Sequence, residues 1–483
     1  MRHPVYNTGM TRYALLLLAL SAISVPVNAA PAAVTSKSAV SAEQKLLKAL
    51  QSIEEKDSED FYPAALSVLE ATGDETFFYP MMLNAATKGN AAAQTWIAMF
   101  NLPITASDST EYNALVKQVD KAAAKNYAPA LILASQLRGQ TDADAAMSLL
   151  MKACLTGSSK AKALYLLQSG RIAAGDFTLP EIQSEIKKQN HYLEELLGSV
   201  SAMAGKEEEA LQWMLKAEAH GSATAPYMLL SVNVPGETQE DYLKHLYLAV
   251  ERHHLTAMYT YGALLCRADE HPAAKQLGIK KDLQQGRKLL QMAAMLGSAE
   301  SAADLAMFYV QGLFNDVPAE RIYRLFEYAH RCGVAEGGAG VGYCKILGAG
   351  CEQDVQKGLE MMLSARDAGA LWVNQALASI YFNGSGGIAP DMQKAVDYLT
   401  ADVVNGGTYS YAVMAAITAL GNAQKGPNAS TAKVYLDLAK EPNPMHDVET
   451  QNQRAEKMQM VYDAIVSSGS WCFAPELEKV SKK

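Results

Sequence analysis

Along most of the chain, small and apolar residues return in a fixed frame behind a turn-forming residue. Ala299, Ser301, Leu305 and Ala306 stand two, four, eight and nine positions after Gly297, and Leu371, Val373, Leu377 and Ala378 stand likewise after Gly369. Positions four and eight of such a frame share one helical face, so each frame predicts a helix that turns an apolar side to its neighbours. The same frame follows Gly221 (Ala223, Ala225, Leu229, Leu230) and Gly89 (Ala91, Ala93, Ile97, Ala98), and recurs less regularly after Asn126, Gly157, His253 and Gly406. Between 157 and 221 the interval doubles, which implies a degenerate unit around 175–205. No sustained two-residue alternation is present, and with aromatic residues at only 8% the composition suits close-packed helices. The expected fold is all-α.

Gly297, Gly333 and Gly369 are 36 positions apart, and Gly312, Gly348 and Gly384 each follow fifteen positions later. A period of this size marks stacked helical hairpins, because one hairpin cannot bury its own apolar face. In each unit the first glycine ends a helix and turns the chain, and the second closes the helix that follows. Asp282-Leu283-Gln284, Asp354-Val355-Gln356 and Asp391-Met392-Gln393 repeat a helix start in the same phase, with the aspartate capping unpaired amides. These features predict a right-handed α/α solenoid of stacked helical hairpins, about nine to eleven pairs over residues 42–420.

The units resemble the Sel-one-like repeat family, a relative of the tetratricopeptide repeat. The likeness is carried by Glu209-Ala210-Leu211-Gln212-Trp213-Met214-Leu215-Lys216-Ala217-Glu218-Ala219-His220-Gly221 as a second helix. First-helix ends are matched by Leu305-Ala306-Met307-Phe308-Tyr309-Val310-Gln311-Gly312 and Leu377-Ala378-Ser379-Ile380-Tyr381-Phe382-Asn383-Gly384, and Lys394-Ala395 follows Asp391. Lys345 replaces the tyrosine after Gly333, and His253 and Asn126 replace hinge glycines. The resemblance implies an adaptor or scaffold, often at membranes or in bacterial envelopes. Tyr259, Tyr261, Tyr309, Tyr343 and Tyr381 lie on first helices, which line the concave face of such arrays. They are candidate partner contacts, the alternative being that the repeated tyrosine belongs to the core.

The termini depart from the repeat. Arg2 and Arg12, the apolar stretch from Ala14 to Val25, and Val27-Asn28-Ala29 predict a cleaved signal peptide over 1–29, too short in its apolar part to span a bilayer as a permanent helix. Residues 30–41 read as a flexible lead. Residues 421–483 read as a linker and a helical cap, with a short helix over Thr431–Lys440 and a more polar one over 447–467 that covers the last apolar face. Asn428-Ala429-Ser430 matches a glycosylation acceptor, relevant only in a eukaryotic source. The expected location is periplasmic or secreted, with no integral membrane segment after signal cleavage.

The formal charge of −9 becomes −11 once residues 1–29, with two arginines and no acids, are removed. An acidic array is a poor binder of nucleic acid. The expected partner is a protein or peptide along the concave face, with no nucleic acid.

Candidate chemistry is sparse. His253 and His254 point to different helical faces, which disfavours joint metal ligation, and no metal site or cofactor is expected. The five glycines from Gly333 to Gly342 follow a helix and lack the lysine and hydroxyl ending of a phosphate loop. No nucleophile elbow, His-Glu-x-x-His or Cys-x-x-Cys is present. Six cysteines, an even count, permit disulfides in an exported chain. The candidates are Cys332, Cys344 and Cys351. Cys344 and Cys351 must face each other across the turn of Gly348 and Gly350, because seven residues of continuous helix would separate them by about 10 Å. The other reading is that most cysteines are small buried apolar residues. Some cysteine-rich bacterial members of the family staple each hairpin with one bridge; Cys154 resembles the first half of that arrangement, with Lys162 where its partner would stand. Together these readings point to a non-enzymatic exported scaffold. The alternatives are a peptidoglycan- or β-lactam-binding envelope hydrolase, which the family resemblance brings in, and a regulatory subunit of an envelope enzyme or secretion system.

Overall fold

The computed structural model describes residues 37–473, apart from 173–176, 233–235, 237, 270, 315–316, 405–408, 422–424 and 442–447. The signal segment 1–29, residues 30–36 of the expected lead and the hinge at Gly406 lie outside the described residues. The lead is shorter than expected, since helix Lys37–Glu55 already occupies residues 37–41. Ala42, Leu46, Leu50 and Ile53 line one side of that helix and are buried, so apolar packing holds its later turns, while Val40 and Ser41 at its start stay exposed.

The described chain is all-α, an α/α solenoid of stacked hairpins, and one two-residue hinge recurs through it. Asp57, Gly89, Asn126, Gly157, Gln189, Gly221, His253, Gly297, Gly333 and Gly369 all have φ between 51° and 114°. The amide after the hinge then reaches back to a carbonyl of the preceding helix: Ser58 to Ile53, Asn90 to Ala85, Asn190 to Glu185, Ser222 to Ala217, His254 to Ala249, Ser298 to Ala293 and Ala370 to Ala365, all at 2.9–3.2 Å. This is the Schellman closure of a helix C-terminus. In many units the same second residue opens the next helix. Asn90 accepts from the Ala93 amide at 2.7 Å, Ser158 from Ala161 at 3.2 Å, Ser222 from Ala225 at 2.7 Å and His254 from Ala257 at 3.3 Å. Two residues thus end one helix and begin another, which keeps the hairpins tight and in register. Gln189 is the hinge of the degenerate unit, evenly spaced between Gly157 and Gly221 by the numbering.

The chain divides into two compact units, 1–301 and 302–483. In the second, the glycines after 333 are packing positions on helix Ala335–Leu347. A Cβ on Gly340 would lie 2.2 Å from the Phe326 ring, and one on Gly342 would lie 2.6 Å from the Gly358 carbonyl. Helices Ala319–Arg331 and Val355–Asp367 therefore press directly on its backbone. Asp354 and Asp391 cap their helices, accepting from the Lys357 and Lys394 amides at 3.0 and 3.1 Å, as Asp282 does in the first unit from Gln285 at 2.9 Å. Helices Ala429–Lys440 and Val448–Ser468 pack on Ser410–Leu420 through Ala412, Ala439 and Met458 and cover the end of the stack.

Candidate protein-binding surfaces

Within the first unit, the connection between helices Lys37–Glu55 and Tyr62–Thr72 carries Asp57, Ser58, Glu59 and Asp60 across the hinges of later hairpins. Helix Ala128–Arg138 begins after Tyr127, whose side chain cannot cap it. Asp57 supplies the cap from outside: its Oδ1 accepts from the Ala128 amide at 2.7 Å and its Oδ2 from the Thr156 hydroxyl at 2.8 Å. The Tyr127 hydroxyl donates to the Ser58 carbonyl. Burial pushes the Tyr127 phenol well above its ordinary range, and the charges of Asp57, Glu59 and Glu54 add to the shift. Lys160 pairs with Glu59 at 2.6 Å. Asp60 meets His253 Nδ1 at 3.1 Å, and Tyr62 stacks flat on the same imidazole at 3.7 Å. Burial raises the Asp60 carboxyl, but hydrogen bonds from His253 and the Tyr62 amide outweigh it and hold the group below its ordinary range. Glu54 caps helix Ala91–Asn101 at the Ala92 amide, 3.0 Å away, and buried Glu75 accepts from Gln291 at 2.8 Å. Beside this loop lies an open cavity of about 570 Å³ lined in part by Glu54, Asp57, Lys125, Lys152 and Leu155. Leu155 is 83% exposed there, the most exposed large apolar side chain of the described residues.

In the second unit the helix Val448–Ser468 is followed by Gly469 at φ 68°, and residues 471–473 then lie on first helices Ala335–Leu347 and Val373–Asn383. Ser379 and Asn383 are one helical turn apart on Val373–Asn383 and so face the same way. Their side chains bond main-chain groups of the tail, while Tyr343, Trp372 and Phe382 meet its two rings.

The candidate tyrosines fall into different settings. Tyr309 and Tyr343 are each 1% exposed. Tyr309 lies under Arg321, which donates to its hydroxyl at 3.3 Å, with Phe314 edge-on. Tyr343 touches the tail through Phe473. Tyr381 is half-buried, stacked on Tyr398 at 5.7 Å with the Lys394 ammonium 4.8 Å from its ring. Tyr259 and Tyr261 are half-buried against the first unit's core. Tyr261 meets Tyr247 edge-on, and burial, followed by the hydrogen bond it donates to Tyr247, pushes its phenol up to about 12. Cys344 is buried and Cys351 half-buried, both as free thiols. Burial pushes both thiols up, and the proximity of Cys351 adds to the shift at Cys344 across the turn. Cys332 is half-buried at the end of the preceding helix. Among the described residues no group of three or more His, Cys, Asp or Glu side chains is placed to hold a metal, and no helix is long and apolar enough to cross a membrane.

The contacts of Asp57, Glu59 and Trp471 could not be read from the periodic frame: Glu59 and Trp471 lie outside it, and Asp57, though at a hinge position, reaches segments that the frame does not relate to it. The one available signal was local: four polar residues, three of them acidic, interrupt two apolar helices between 57 and 60.

Repeated hairpins joined by Schellman hinges and capped at one end define a helical-repeat solenoid, a class whose units bury their apolar faces on one another. The Sel1 repeat model matches residues 198–222, 274–298, 338–369 and 375–401, so the chain carries Sel1 repeats at four positions. Among solved structures it is similar to a Sel1 repeat protein from Oxalobacter formigenes, at 22% identity over 51% of this chain and 99% of the other, with a TM-score of 0.34. It is also similar to a protective antigen of uropathogenic Escherichia coli strains displaying an SLR fold, at 15% identity over 84% of this chain and 97% of the other, with a TM-score of 0.40. An immunity protein from Pseudomonas aeruginosa matches at 18% identity over 53% of this chain and 86% of the other, with a TM-score of 0.28. No curated protein matches the sequence.

Proposed function

We propose that this chain is an exported, non-enzymatic scaffold of the bacterial envelope that holds a protein or peptide partner against its rows of first helices. The observation that carries this reading is the way the tail is held. Ser379 and Asn383 bond main-chain groups of a polypeptide segment, and Trp372 stacks on one of its aromatic rings. A surface that recognises backbone amides and carbonyls while offering places for side chains is suited to polypeptide ligands. The Sel1 repeats support a role in protein–protein interaction, and Arg2, Arg12 and the apolar stretch Ala14–Val25 support export.

Residues 30–483, tagged and briefly crosslinked in a native envelope extract, should capture a small set of stoichiometric partners identifiable by mass spectrometry. A bait carrying charge substitutions at exposed first-helix positions should lose them. Capture of nothing by either bait would overturn the scaffold reading. Fractionation of cells expressing the tagged full chain should place it in the envelope fraction with its first 29 residues removed by intact mass; a full-length cytoplasmic product would overturn the export reading.

A further inference from the structure

The groove under the tail is built to hold two rings and one main-chain step. The Trp471 carbonyl accepts from Asn383 Nδ2 at 2.8 Å, and the Phe473 amide donates to Ser379 Oγ at 2.9 Å. Phe473 stacks on Trp372, with centroids 5.4 Å apart and planes 14° from parallel, and meets Tyr343 edge-on at 6.2 Å. Trp471 leans on Phe382 at 6.4 Å. Trp372 in turn rests near Phe326, so the aromatic floor continues into the core. None of these contacts depends on the bond that joins the tail to the rest of this chain. They need only an aromatic residue, any residue, and a second aromatic residue, with the carbonyl of the first and the amide of the third free to bond.

The occupant and the floor differ in burial. Tyr343 and Ser379 are fully enclosed, whereas Trp471, Cys472 and Phe473 are each only half-buried. The segment joins helix Val448–Ser468 through Gly469 in the left-handed conformation, which leaves a short pivot.

We propose that this groove is a recognition site for an aromatic–X–aromatic segment of a partner protein, and that residues 471–473 are a resident plug which such a segment displaces. The proposal deepens the scaffold reading and rests on it. A tethered plug competes at a high effective concentration, so it lowers the apparent affinity for a partner by the fraction of time the groove stands open. Partners with one weak motif are thereby refused, and a partner that also touches the surface elsewhere is favoured.

The test uses the 30–483 chain and a fluorescent peptide of sequence Gly-Ser-Trp-Ser-Phe-Ala, which copies 469–474 with serine in place of Cys472. Fluorescence anisotropy should show the Trp471→Ala/Phe473→Ala variant binding the peptide at least tenfold more tightly than wild type. Adding Ser379→Ala and Asn383→Ala should remove that gain. Circular dichroism melts establish that the variants fold. A second measurement needs no variant: excess peptide should raise the rate at which a maleimide labels Cys472 in the wild-type chain, read by mass spectrometry of its peptides. No binding by a folded plug variant, together with unchanged Cys472 labelling, overturns the proposal. So does a plug-dependent dimer on size exclusion, which would make the tail a link between copies. Peptide binding with no envelope partner would leave the groove standing and defeat the scaffold reading; partner capture with no peptide binding would do the reverse.

Discussion

Gly340 shows how much of this fold depends on a missing methyl group. Its absent Cβ would sit 2.2 Å from the Phe326 ring, inside any tolerable contact. Gly340→Ala should therefore cost about 1–3 kcal/mol of stability through overpacking, read as a lower urea midpoint; an unchanged midpoint would show that the ring moves aside freely. His254 makes a second prediction at this scale. Its Nδ1 accepts from the Ala257 amide, Tyr227 stacks on it, and burial pulls its pKa down to about 4. As pH falls, the unfolded chain takes up the proton first, near its ordinary value of about 6.5. The stability His254 contributes is thus complete above about pH 6.5 and is lost as pH drops toward 4. Asparagine can also cap a helix, so His254→Asn should nearly match wild type at pH 7.5 and exceed it by about 2 kcal/mol near pH 4.5. Parallel stability curves over that range would refute the assignment. The hinge glycines were legible in the sequence because positive φ favours glycine. Gln189 and Asp57 were not: glutamine seldom adopts that conformation, and aspartate, which does so more readily, is equally common at helix caps and in loops and so marks no hinge by itself.

At the scale of single helices, the informative case is a cap supplied from a distance. Helix Ala128–Arg138 has no capping side chain of its own, and Asp57 serves it from 71 residues away. Asp57→Ala should cost about 1 kcal/mol, and hydrogen exchange should speed up at the amides of residues 128–131 more than at the start of Ala91–Asn101, which Glu54 caps. Equal exchange in variant and wild type at 128–131 would mean that the bond carries no stability. Periodicity placed the helices from Gly297 onward well, since there the frame, the Asp-x-Gln starts and the glycines agree. It gave no information on what lies over the helices. Contacts made by the 57–60 loop and by 471–473 depend on three-dimensional proximity between segments with no shared pattern, and Tyr309 follows the same spacing as Tyr381 while sitting far deeper.

For the whole molecule, the division into units at 301 and 302 has a direct spectroscopic readout. Trp96 and Trp213 belong to the first unit, Trp372 and Trp471 to the second. Repeat arrays need not unfold in one step. Chains that keep only one tryptophan at a time should show two urea midpoints, and Gly340→Ala should move only the later pair's. A single shared midpoint that shifts as one would mean the units are thermodynamically inseparable. Within the first unit, the meeting of Asp60 with His253 joins residues 193 positions apart. At a synthesis rate of roughly 5–20 residues per second, the earliest helices emerge about 10–40 s before the imidazole that will clasp them exists. Asp57, Ser58 and Glu59 meet residues 127–160 well before that, so the 57–60 loop is fastened in stages, and until His253 is made its Asp60 end stays open to any chaperone or transport machinery that acts on a nascent chain.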